Sequence, residues 1–278
     1  MCIQAVIAIA AAVMAATSAS AAAVDAVSRG KDLFFIHCAQ CHGPAGKGDG
    51  SAAAFLPRKP RDFSQGIYKI KSSPPDIAIP RDEDLFDTIS RGMSASGMPP
   101  WENVLTEPQR RDLVAFIKSL SDMFEGEADP PPLNLEGKLE LTAESVERGR
   151  AAYLRLKCDE CHGPEGSGPA TKSLKDDYGA PIWPRDLTRP STYIGPFTRE
   201  ALYARITNGI PLTPMPPHPR PGVPDTIAQE RWDVVNYVFA LAEQAERRRT
   251  IQWAVGIALA ALLTVAWLMR SRRARKSP

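Results

Sequence analysis

Apolar residues recur on one helical face at several places along the chain, and these places come in matched pairs. In DEDLFDTISRG (82–92), Leu85, Phe86 and Ile89 stand at i, i+1 and i+4. In TREALYARITNG (198–209), Leu202, Tyr203 and Ile206 do the same. That spacing predicts an amphipathic helix in each, closed by Gly92 and Gly209 as C-terminal caps. RDLVAFIKSL (111–120) and WDVVNYVFAL (232–241) form a second matched helical pair. RGKDLFFIH and RGRAAYLRLK, opening at Arg29 and Arg148, form a third. The expected fold class is all-α.

The pattern changes at both ends. From Thr250 to Met269, TIQWAVGIALAALLTVAWLM carries no charge. At ~1.5 Å per residue it reaches ~30 Å, the thickness of a bilayer's hydrocarbon core, and it is expected to be a transmembrane helix. RSRRARKSP follows, so residues 270–278 are expected on the cytoplasmic side and the body of the chain on the other. Arg247, Arg248 and Arg249 sit on the wrong side for this rule, but they are fewer and are mixed with Glu243 and Glu246. Residues 1–23 form an apolar, small-residue run with Ala19, Ser20 and Ala21 near its end, the pattern of a secretory signal, although no Lys or Arg precedes the apolar core. The signal places the body in the periplasm of a bacterial cell and makes Cys2, inside it, a residue lost on cleavage.

Between these ends the chain repeats itself. HGPAGKGDG answers HGPEGSG, PRDF (60–63) answers PRDL (184–187), and GMPPW (97–101) answers PMPPH (214–218), all in the same order. Residues 24–124 and 139–246 therefore read as two copies of one domain. The acidic, Pro-rich EGEADPPPLNLEGK (125–138) between them reads as a linker. With 34 Lys and Arg against 32 Asp and Glu, and part of the basic excess in the tail, nothing favours a nucleic acid partner.

Four of the five cysteines sit in two copies of Cys-x-x-Cys-His, at Cys38 and at Cys158. A zinc site would bring the pairs within ~15–20 residues of each other. A redox dithiol would follow a strand in a βαβ pattern, whereas here each motif ends a helical run. Covalent attachment of haem uses two thioethers on one helical turn and the next residue, histidine, as proximal iron ligand. Both copies carry all three residues.

The haem reading also predicts a second axial ligand further along each copy, and a thioether suits electron transfer because it favours reduced iron. Met98 and Met215 occupy matched positions, each opening a Met-Pro-Pro turn that fixed proline φ angles keep stiff. Methionine is commonly core filler. Two at matched repeat positions are better explained as ligands. Met93 has Ile210 as its counterpart and reads as packing, and His218, matched by Trp101, ranks second to Met215. His37, matched by Lys157, reads as an exposed neighbour of the motif.

With these residues in place, the chain resembles a membrane-anchored dihaem member of the class I cytochrome c family, over nearly all of residues 28–246. The resemblance implies two tandem helical domains in which the first and last helices cross beside the haem. It implies that Cys38 and Cys41 attach one haem c, with His42 and Met98 as axial ligands. Cys158 and Cys161 would attach a second, with His162 and Met215 as ligands. Phe34 with Phe116, and Tyr153 with Tyr237, resemble the aromatic pair at the helix crossing. Two roles compete for Arg61 and Arg185 in the PRD motifs: a bidentate partner for a haem propionate, or part of a turn. GPAGKGDG lacks the spacing of a phosphate-binding loop and follows a helix.

Two six-coordinate haems leave no iron position for a substrate. The expected function is therefore single-electron relay, between a redox protein donor and an acceptor in or at the membrane, with no small-molecule substrate. The chain would be anchored once in the cytoplasmic membrane. The alternative is a dihaem enzyme of peroxidase or thiosulfate-oxidising type with the second haem as active site. A third reading is a fixed subunit of a respiratory complex. The haem arrangement resembles the cytochrome subunits of cbb3-type oxidases, which carry their anchor at the N-terminus, while a C-terminal anchor resembles cytochrome c1.

Overall fold

A computed structural model describes residues 25–93, 96–135, 137–168, 174–218 and 228–274. Residues 1–24, and with them the expected secretory signal, the Pro-rich residues 219–227 and the last four residues of the sequence lie outside them. Two compact units emerge, and they do not follow the repeat boundary. The first gathers the chain up to Gly137, Leu174–Ile182 and the segment running on from Ile194; the second gathers the chain from Lys138 to residue 168, Trp183–Tyr193 and the C-terminal helix.

In the first unit, helix α1 is described over 25–37 and is followed by the single turn α2 (Ala39–His42), then α3 (Asp82–Arg91) and α4 (Glu107–Lys118). Helix α3 opens with three acidic residues, where the positive end of the helix dipole favours them, and the Asp84 carboxylate accepts from Arg81 N at 2.9 Å. Thr106 and Gln109 form a capping box at the start of α4, with Pro108 in its first turn. The first and last helices of the repeat meet at Gly30, where a Cβ would run into the Asp112 carbonyl. Around that crossing Phe34 meets Phe116 with ring centroids 5.1 Å apart, and Arg29 binds both carboxylate oxygens of Asp112 at 2.7 Å. Leu85, Phe86, Ile89, Leu113 and Ile117 complete this core, so the apolar positions of the helical pattern are the buried ones.

The same unit holds two pieces of the second repeat. One is a hairpin of β1 (Leu174–Lys175) and β2 (Pro181–Ile182), antiparallel, with Leu174 opposite Ile182. It is a local departure from an all-helical chain. Its turn is set by Asp176, whose Oδ1 accepts from Tyr178 N and Ala180 N, and by Gly179 at φ +77°. The other is α7 (Arg199–Asn208), capped by Thr198 and ended by Gly209 at φ +66°. Asn208 Nδ2 donates to the carbonyls of Lys71 and Ser73, at 3.0 and 3.1 Å.

The second unit is built on α5 (Ala143–Arg155), the single turn α6 (Asp159–His162) and α8 (Ala228–Ala274). A Cβ on Gly149 would strike the Asp233 carbonyl, as at Gly30, and Tyr153 meets Tyr237 with centroids 5.3 Å apart. Arg148 binds Asp233 through two bonds of 2.9 Å. The second repeat carries one more residue between its Arg-Gly and its first cysteine than the first repeat does. Lys157 absorbs it at φ +61°, and Cys158 N then reaches back five residues to Tyr153 O, where Cys38 N reaches four to Phe34 O.

Helix α8 runs unbroken from this core into the apolar segment. Trp232, Val234, Val235 and Tyr237 are buried, whereas every residue from Ile251 to Leu268 is exposed. It is long and apolar enough to cross a membrane, with a mean hydropathy of 2.0 in its most apolar window. Exposed Trp, Leu and Ile over some eighteen residues demand an apolar surrounding. The described residues are thus mostly helical, with one candidate transmembrane helix among them, at the C-terminal end.

Candidate cofactor-binding sites

Helix α1 delivers the first motif. Cys38 and Cys41 lie on the turn α2, His42 N bonds Cys38 O at 2.9 Å, and Gly43 at φ +77° turns the chain away directly behind the histidine. His42 Nδ1 lies 3.2 Å from the carbonyl of Arg61. That bond assigns the ring proton to Nδ1 and leaves Nε2 as the free ligand atom. Phe63, two residues after Arg61, stacks on the His42 ring at 4.5 Å between centroids and 19° between planes. Burial lowers the His42 pKa, which keeps the imidazole neutral and able to bind a metal. Burial also pushes the Cys38 thiol up to about 12, the opposite of what a reactive dithiol needs.

Helix α3 delivers the methionine. Met93 and Met98 pair through their backbones, Met93 N to Met98 O at 2.9 Å, and Trp101 N bonds the Ser90 carbonyl at 3.0 Å. Gly92 permits this: at φ +67° it packs so close that a Cβ would lie 2.6 Å from the Met98 oxygen. Cys38, Cys41, His42, Met98, Arg61 and Tyr68 line one cavity of about 310 Å³. Two polar atoms on its wall, Arg61 Nη1 and the Tyr68 hydroxyl, are buried with no hydrogen-bond partner. Burial drives the Arg61 pKa down and the Tyr68 pKa up. A ligand bringing carboxylates would satisfy both groups, and haem has that chemistry. The cavity, its thiols, its imidazole and its two orphaned donors fit that cofactor.

Tyr68 carries no sequence signal of its own, since a tyrosine after PRDF looks like any core aromatic. His37 is not the exposed neighbour expected: its ring packs 5.2 Å from Trp101 and lines the cavity. Met93 lines it as well, holding Met98 through the backbone pair.

In the second unit, α6 presents Cys158, Cys161 and His162 on an equivalent turn ended by Gly163 at φ +76°. His162 Nδ1 lies 3.0 Å from the Arg185 carbonyl, and burial lowers the His162 pKa. The PRD motifs therefore do a backbone job in both repeats, whatever their guanidinium groups do. Met215 lies in the first unit. Ile210 N bonds Met215 O at 3.1 Å, and a Cβ on Gly209 would lie 2.8 Å from that oxygen, the arrangement of Gly92 and Met98 again. His218 is buried, and its N bonds Ile206 O at 2.9 Å as Trp101 N bonds Ile89 O at 3.2 Å. Among the described residues no group of three or more His, Cys, Asp or Glu is placed to hold a bare metal ion.

Residues 27–121 match the cytochrome c family model, and residues 144–238 match that of the cbb3-type cytochrome c oxidase subunit III. A chain in the solved reducing HAO-like protein complex of Kuenenia stuttgartiensis is 36% identical, with a TM-score of 0.69 over 77% of this chain and 95% of that one. The chain belongs to the cytochrome c family. Cytochrome c domains bind haem c covalently through cysteine pairs of this kind. More distant curated relatives of this cytochrome include the cbb3-type oxidase subunit FixP of Sinorhizobium medicae, 25% identical over 51% of this chain and 41% of the relative. The subunit CcoP of Helicobacter pylori is 22% identical over 51% and 39%. The matched stretch thus spans about two fifths of those two proteins.

Proposed function

We propose that this cytochrome relays single electrons through two haem c groups, one per repeat, while α8 tethers it to the bacterial cytoplasmic membrane. The repeats lie on the periplasmic side and the basic C-terminus in the cytoplasm. Cys38 and Cys41 attach the first haem and Cys158 and Cys161 the second. His42 and Met98 would ligate the iron of the first haem and His162 and Met215 that of the second, and Arg61 and Arg185 would pair with propionates. When bound, haem c supplies one-electron exchange at its iron. The chain's own residues hold each imidazole neutral with Nε2 free, fix each methionine behind a glycine, and shield the site from water.

The observation that carries this reading is the duplicated pairing of a histidine Nδ1 with the arginine carbonyl of a PRD motif, matched by a duplicated glycine-backed methionine turn. Donor and acceptor are redox proteins at the membrane. The cbb3-type subunits and the HAO-like complex among its relatives favour a role as a subunit of a larger redox assembly, and mild-detergent fractionation separates that from a free carrier.

Burial of His218 beside the Met215 turn favours a second reading, catalysis at a second haem that lacks methionine. The oxidised protein is expected to be wholly low-spin, and the native reduced protein to bind no carbon monoxide. A high-spin fraction amounting to one haem, with carbon monoxide bound at that haem, would move the second site to catalysis.

A further inference from the structure

The first cavity is lined by residues of its own repeat, and one stretch of that lining touches the second repeat. Arg58, Lys59 and Arg61 line the cavity, and the first two meet the hairpin contributed by the second repeat, which lies in the same compact unit. Arg58 Nη1 donates to the Pro181 carbonyl at 3.1 Å. Lys59 Nζ sits over the Tyr178 ring, 5.4 Å from its centroid, and the Tyr178 hydroxyl donates to Gln65 Oε1 at 2.9 Å. The same phenol neighbours the Arg61 guanidinium, where it opposes the lowering of that group's pKa by burial. The hairpin is built to aim this side chain. Asp176 accepts from the backbone on both sides of the turn, Asp176 N closes it on Ala180 O at 2.9 Å, and Gly179 has open space around it, so its positive φ serves the turn and not close packing.

We propose that Tyr178 is a positioning residue for the first haem: delivered by the second repeat, it holds Arg61 and closes the Arg58–Arg61 edge of the cavity, so that one repeat sets the reduction potential of the other's haem. The inference rests on the two-haem reading. A guanidinium fixed beside the site favours the iron state of lower positive charge, and a closed edge keeps out the water that would stabilise the higher one. Both effects raise the potential of the reduced state's formation, so both are lost when Tyr178 is removed.

The test is an optical redox titration of the full-length, haem-loaded protein in detergent, with haem per chain measured on the same samples. In Tyr178→Phe one of the two components falls and the other stays. Tyr178→Ala lowers it further, because Lys59 also loses its ring. In an Arg61→Gln background, Tyr178→Phe has no additional effect, since the phenol acts through that guanidinium. Unmoved potentials, equal movement of both, or the same shift with and without Arg61 would overturn the proposal. A wild type with haem only at Cys38 and Cys41 would refute the two-haem reading while leaving the Tyr178 shift on that haem to decide this one; absence of haem there overturns both.

Discussion

In the first repeat the motif histidine lies on Phe63 and the crossing helices meet through Phe34 and Phe116. In the second, Leu187 stands where Phe63 does, and the crossing is made by Tyr153 and Tyr237. The Tyr153 hydroxyl donates to Gly163 O at 2.7 Å, inside the turn that carries His162. A similar contrast holds at the Arg-Asp pair. Asp112 serves Arg29 alone among the charged partners of the crossing, whereas Asp233, almost fully buried, also accepts from Ser145 Oγ at 2.5 Å, and Ser145 in turn accepts from Asn236 Nδ2 at 2.7 Å. Ala26 and Ala115 occupy those two places in the first repeat. What is common to the repeats is backbone geometry: the glycine crossing, the carbonyl on the histidine, the glycine behind the methionine. What differs is how the surrounding space is filled, by apolar stacking in one and by a buried polar network in the other.

The glycine crossing is the shared element whose loss is expected to cost most. Gly30→Val and Gly149→Val each force two helix backbones apart, with an expected loss of at least ~3 kcal/mol. Thermal unfolding and haem content would show one repeat lost in each variant; equal tolerance of both would mean that the crossing is not close. Next come the methionines. Met98→Ala and Met215→Ala are each expected to halve the near-infrared methionine–iron absorption and to lower one potential. If Met215→Ala leaves that absorption whole while Met98→Ala abolishes it, the second ligand is His218.

Asp233→Asn separates the two repeats energetically. It leaves a buried network short of its charge and is expected to cost ~3 kcal/mol. Asp112→Asn, whose carboxylate pairs with a half-exposed arginine as Asp233 does but lacks the Ser145–Asn236 network, is expected to cost ~1 kcal/mol. Equal losses in denaturant unfolding would erase the distinction between polar and apolar crossings. The smallest effect expected is at the phenols. Tyr153→Phe removes a buried bond of 2.7 Å and should cost ~1 kcal/mol. Tyr237→Phe, whose bond to Pro164 O is 3.4 Å long, should be close to neutral.

Much of this was readable from the chain. The helices, the crossing aromatics, the apolar span and the paired motifs are written in residue types at fixed spacing, and residue type is what a sequence displays. The carbonyls of Arg61 and Arg185 were hidden because any residue has a carbonyl, and attention to PRD goes to the charge. Tyr68 and Tyr178 were hidden because their function depends on what they approach, and nothing local marks either one. The grouping of 174–182 and α7 with the first unit is likewise tertiary. The bonds from Asn208 Nδ2 to the Lys71 and Ser73 carbonyls join residues more than 130 positions apart, beyond any local pattern.

The most direct measurement is a pyridine haemochrome assay on the purified full-length protein, read together with the near-infrared absorption of the same oxidised sample. Two haems c per chain with methionine–iron absorption at the intensity of two ligated irons is the result predicted here. One haem per chain, or two with that absorption halved, would contradict the reading of two equivalent electron-relaying sites.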